Sequence, residues 1–158
     1  MIEAKENFNN TWPFNPNFFS GNGFKQHYVD EGKENNKVIL CLHGEPTWGY
    51  IYRYFIQELS KNFRIVVPDL MGFGKSETPK NKEYSLKTHV ENLENLINYL
   101  ELKNIYFVGQ DWGGPILGAY TLRNLTNTKG MFLINTIFGY SRTETVSYTH
   151  LRAHETVV

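Results

Sequence analysis

Gly109-Gln110-Asp111-Trp112-Gly113 is the run whose residue types and spacing point most directly to chemistry. It follows the apolar segment Ile105 to Val108 and precedes a helical pattern from Pro115, the setting of a nucleophile elbow. Small residues on either side let a sharp turn present one side chain beside the free N–H groups of a helix start. The presented group is a carboxylate. It needs no base to remove a proton, and it can attack saturated carbon, expel a leaving group and form an alkyl ester. The competing reading of Asp111 is a helix cap. A cap alone does not account for Gly109, Gly113 and Gly114 around it. Trp112 carries a donor-only indole N–H, suited to a departing anion.

A second constellation, His43-Gly44-Glu45-Pro46-Thr47-Trp48, follows the apolar run Val38 to Leu42. Such a turn can aim a backbone N–H at an oxyanion, and the N–H groups of Glu45 and Trp112 would form a two-donor hole. Each such donor is worth about 3–4 kcal/mol in mutational tests. Glu45 therefore enters mainly through its backbone, its carboxylate serving to hold water or accept hydrogen bonds, and His43 reads as a turn residue. Gly74-Lys75-Ser76 invites a phosphate-loop reading, but the required glycine five positions earlier is Asp69. A dinucleotide fingerprint fails at Glu77. His27 and His89 read as surface or packing residues. With no His or Cys cluster at ligand spacing, neither a metal nor a cofactor is expected. Cys41, inside an apolar run, reads as an inert core thiol.

These residues need a frame. Phe24 to Asp30, Val38 to Leu42, Phe63 to Val67, Asn104 to Val108 and Met131 to Ile134 read as strands. Tyr50 to Ser60, Ser85 to Leu102 and Pro115 to Arg123 read as helices, the second with an apolar stripe of Leu86, Val90, Leu93, Leu96, Ile97 and Leu100. The alternation predicts an α/β fold, a mostly parallel sheet with helices on both faces. Residues 1–20 read as an irregular entry arm. With 158 residues, 41% apolar, the chain holds one domain with a real core. Sixteen Lys plus Arg balance sixteen Asp plus Glu, so no basic footprint for nucleic acid is present. No apolar run approaches membrane-spanning length. A single cysteine and a start without a secretory layout fit a reducing cytoplasm.

Taken in order, His43-Gly44-Glu45-Pro46-Thr47-Trp48, then Pro68-Asp69-Leu70-Met71-Gly72-Phe73-Gly74-Lys75-Ser76, then Gln110-Asp111-Trp112-Gly113-Gly114 resemble the successive motifs of haloalkane dehalogenases in the α/β-hydrolase superfamily. The likeness runs from about Tyr28 to Tyr140. It implies cofactor-free hydrolysis of a carbon–halogen bond in a small halogenated substrate. Asp111 displaces halide, Trp112 donates to the departing anion, and a His-activated water cleaves the ester. Asn135 departs from one branch of that family, which carries its triad acid there, so the acid is expected further along. The resemblance also implies a cap domain, last strands and a base histidine, none with a counterpart before residue 145. The chain is therefore expected to be an N-terminal part, inactive alone.

The core unit is accordingly expected over residues 1–145. Residues 146–158 break the rhythm and resemble a translated transposase sequencing adapter, so this tail, with His150 and His154, is set aside as non-native. Two alternatives remain. An epoxide hydrolase uses the same Asp-Trp pair but usually carries Phe at the position of Glu45 and His at that of Gln110. A non-catalytic binding module would keep the scaffold alone.

Overall fold

The computed structural model describes residues 2–137. The suspected tail and the expected end of the core near residue 145 lie outside them. The order is β1 (Asn17–Phe19), β2 (Gln26–Glu31), β3 (Val38–Leu42), a short 3₁₀ turn at Gly49–Tyr52, α1 (Arg53–Leu59), β4 (Arg64–Pro68), α2 (Leu86–Tyr99), β5 (Ile105–Gln110), α3 (Gly113–Arg123) and β6 (Thr128–Ile134). The sheet runs β1-β2-β4-β3-β5-β6. Strands β4, β3, β5 and β6 are parallel neighbours, while β2 joins β4, and β1 joins β2, antiparallel.

From β3 the chain moves to one side of the sheet to make β4, then returns to the other side to make β5. The crevice between β3 and β5 is therefore a topological switch point, where open α/β sheets bind ligands beyond the carboxyl ends of their strands. Leu42 pairs with Gly109, so the turn after β3 and the elbow after β5 emerge side by side.

Strand periodicity divides the core. Leu40, Leu42, Val66 and Phe107 face α2 and α3 in one cluster, with Val90, Leu93, Leu96, Ile97 and Leu117. Cys41, Ile65, Val67 and Val108 face the opposite way, beneath Trp12, Tyr52 and Ile56. Full burial of such side chains contributes about 1.5–3 kcal/mol each.

Several local expectations are corrected. The entry arm contains a strand, β1, too short at three residues to show a period. The first helix begins as the 3₁₀ turn before α1. In α2, Ser85 caps the start by accepting the Thr88 N–H at 3.3 Å. The helix ends at Tyr99 because Glu101 takes a left-handed φ of 53°. Leu86, assigned to the apolar stripe, stays half-exposed. Lys75 is buried, its ammonium donating to the carbonyls of Ala4 at 2.9 Å and Glu6 at 2.6 Å, so the Gly-Lys-Ser triplet fastens the arm.

Candidate active site

The site begins with the strained turn after β5. Asp111 has φ 50°, outside the usual range for a side chain with a Cβ, at a cost on the order of 1 kcal/mol. Aspartate tolerates this conformation better than most residues. The turn closes because its neighbours lack side chains. A Cβ on Gly113 would strike the carbonyls of Leu42 and His43, and one on Gly44 would strike the Asp111 carboxylate and the Trp112 N–H. The two loops approach so closely only with glycine on both.

The carboxylate is not a helix cap. Its Oδ1 accepts the N–H of Glu45 at 2.9 Å and that of Trp112 at 2.7 Å. The N-cap position of α3 is Trp112, which makes no side-chain capping bond. No described residue donates to Oδ2. One carboxylate oxygen is thus tied and polarised while the other is left with its lone pairs. The sequence-derived trio of Asp111, Glu45 and Trp112 comes together, with Glu45 engaged through its backbone and its side chain exposed.

A cavity of about 270 Å³ lies against this turn, lined by Glu45, Leu70, Phe73, Leu86, Trp112 and Ile116, with Tyr84 and His89 on the α2 side. Trp112 remains 49% exposed. The lining is mostly apolar, with few polar groups, as small-molecule sites usually are. Among the described residues no cluster of His, Cys, Asp or Glu is arranged for a metal ion.

The three described histidines are spent differently. His27 is fully buried, which selects packing over the surface, with its Nδ1 2.9 Å from Asp69. His43 bonds the Gly44 carbonyl and the Leu70 N–H and is turned to the loop backbone. His89 lines the cavity, and its enclosed Nδ1 has no partner among the described residues. Sequence reading missed the cavity wall, since Leu70, Phe73, Leu86 and Ile116 carry only ordinary apolar signals. His89, a polar residue beside an apolar stripe, was the one visible cue.

Burial pushes both His43 and His89 below the ordinary histidine range; proximity of the two rings lowers His89 further, while nearby Asp69 partly offsets the effect at His43. The folded chain therefore takes up these protons less readily than the unfolded chain. The stability they permit is present above about pH 6.5 and is lost as pH falls through the lower folded values. The urea midpoint is expected to drop between about pH 7.5 and about pH 5.5. An unchanged midpoint would show that neither ring resists protonation.

Residues 37–152 match the family described as alpha/beta hydrolase fold. Over 127 residues the chain is 39% identical to haloalkane dehalogenase 2 of Mycobacterium bovis, covering 80% of this chain and 44% of that protein. It is 36% identical over 127 residues to a cis-3-alkyl-4-alkyloxetan-2-one decarboxylase of Shewanella oneidensis, covering 78% of this chain and 39% of that protein. Among solved structures, the epoxide hydrolase CorEH superposes with a TM-score of 0.77 at 26% identity, covering 85% of this chain and 47% of that one. The chain thus spans less than half the length of these relatives.

Proposed function

Because the chain belongs to the α/β-hydrolase fold family, we propose that it forms the nucleophile-bearing part of a haloalkane dehalogenase. In this reading the free Oδ2 of Asp111 attacks the halogen-bearing carbon of a small haloalkane. A carbon–oxygen bond forms as the carbon–halogen bond breaks, and the electron pair leaves with the halide, which the Trp112 indole N–H receives. Oδ1 becomes the ester carbonyl oxygen. When water adds to that carbonyl, the N–H groups of Glu45 and Trp112 stabilise the charge on it. The observation that carries the reading is the asymmetry of the carboxylate, with Oδ1 accepting both N–H bonds while Oδ2 takes none from the described residues.

Water activation requires a histidine facing Oδ2. Among the described histidines, His27 and His43 are committed to Asp69, Gly44 and Leu70, and His89, on the cavity wall, makes no hydrogen bond to the Asp111 carboxylate. We assign the base and its acid partner to sequence beyond the core segment 1–145, leave residues 146–158 outside the native fold, and place the protein in the cytoplasm with halide and haloalkane as its small-molecule partners. The dehalogenase is favoured over an epoxide hydrolase by Glu45 and Gln110, where epoxide hydrolases usually carry Phe and His.

The chain itself tests this. On incubation with 1-bromobutane it is expected to acquire one butyl ester, mapped by peptide mass to Asp111, and to release one bromide per chain without sustained turnover. Sustained bromide release would show that a histidine within the chain serves as base. A hydroxyalkyl ester from 1,2-epoxybutane with none from 1-bromobutane would transfer the assignment to epoxide opening.

A further inference from the structure

We infer that His43 is a positioning residue: its neutral, Nδ1-protonated ring ties the turn after β3 to the backbone at Asp69–Leu70 and so holds the Glu45 N–H on the Asp111 carboxylate. Its catalytic meaning rests on the reading of Asp111 as nucleophile, but the structural claim stands apart from it.

The protonation state follows from the partners. The Leu70 N–H can only donate, and it lies 2.9 Å from His43 Nε2, so Nε2 must present its lone pair. The proton of the neutral ring is then on Nδ1, which donates to the Gly44 carbonyl at 2.9 Å. The same carbonyl accepts the Thr47 backbone N–H at 3.1 Å and the Thr47 hydroxyl at 2.9 Å, closing a tight turn around Glu45. At the far end of this turn, Gly49 donates its N–H to Asp69 Oδ1 at 2.8 Å. Residues 43–49 are therefore pinned at both ends to adjacent residues of one corner, with Glu45 between the pins and its N–H on Asp111 at 2.9 Å.

A second proton on the ring would set an Nε2–H against the Leu70 N–H, two donors with no acceptor between them, and one pin would open. The surroundings resist that proton. The ring is fully buried, Phe73 lies edge-on with centroids 5.7 Å apart, and His89 of α2 is near enough to feel its charge. Asp69, the nearby carboxylate at the end of β4, is already engaged by Gly49, His27 and the Lys75 N–H at 2.9 Å. The Glu45 side chain is exposed, and the tied oxygen of Asp111 is held by backbone donors. No described carboxylate bonds the His43 ring.

The test uses the ¹⁵N-labelled chain. Long-range imidazole spectra should show Nε2 of His43 as an unprotonated acceptor and Nδ1 as the protonated nitrogen near neutral pH. In His43→Ala, hydrogen exchange at the Glu45 N–H should accelerate by at least about tenfold, while the Leu40 and Phe107 N–H groups in the paired strands keep their protection. A protonated Nε2 in the wild-type chain would overturn the proposal, and that measurement stands if His43→Ala does not fold. Unchanged Glu45 protection in a folded His43→Ala chain would also overturn it. Failure here differs from failure of the nucleophile reading: the butyl ester on Asp111 would still form, whereas loss of the ester with Glu45 protected would sink the nucleophile and leave His43 in place.

Discussion

Replacing Asp111 by alanine in the protein extended to the length of its relatives is expected to lower halide release from 1-bromobutane by about 10⁴-fold or more, the scale seen when a covalent nucleophile is removed. The substitution deletes the only described carboxylate on the elbow, and with it the oxygen that would carry the ester. Glu45 meets Asp111 through its N–H, and its side chain is exposed. Alanine also loses the acceptor for two N–H groups at a residue with φ 50°, so some stability goes with it. Asp111→Asn separates the effects. Asparagine accepts a positive φ and retains an oxygen for the Glu45 and Trp112 donors, but its amide is a poor nucleophile. Both variants should lose initial halide release, with Asn unfolding in urea close to the wild type. Activity preserved in a folded Asp111→Ala protein would remove the covalent mechanism.

How far sequence could anticipate the molecule follows from the range of the forces involved. β3, β4 and β5 are central and mostly buried, with Tyr106 of β5 the exposed exception, and so written as apolar runs such as Val38 to Leu42. The stripe of α2 was legible for the same reason, except at Leu86, whose position is periodic but lies beside the cavity rather than beneath α2. The three-residue β1 exists only through its pairing with β2, a contact that no local period encodes. In the site, Asp111, Trp112 and Glu45 were legible because strand end, glycine and helix start occupy a few consecutive residues. What sequence could not supply was the adjacency of the two loops, set by pairing of Leu42 with Gly109 across β3 and β5. The pairing of His27 with Asp69 was hidden likewise, since the two stand 42 residues apart.

That partner underlies the second large effect, on stability. Asp69→Ala is expected to destabilise the chain by about 3–5 kcal/mol, because each buried donor abandoned costs about 1–3 kcal/mol and domains of this kind hold only about 5–15 kcal/mol in all. Asp69 is fully buried. Its Oδ1 accepts the Gly49 N–H at 2.8 Å, and its Oδ2 lies 2.9 Å from both the Lys75 N–H and His27 Nδ1. Alanine leaves all of these without a carboxylate and opens space beside Gly74, which approaches Asp69 closely. His27→Ala removes one partner and leaves the carboxylate with its two backbone donors, so its loss should be smaller. In a double-mutant cycle the two changes should be clearly non-additive, since the direct contact between the side chains is counted in both. Urea unfolding of the four proteins measures this. If His27→Ala proves as costly as Asp69→Ala, the carboxylate is not the centre that joins the 43–49 turn to the 72–76 loop, and the packing of the His27 ring must hold them instead.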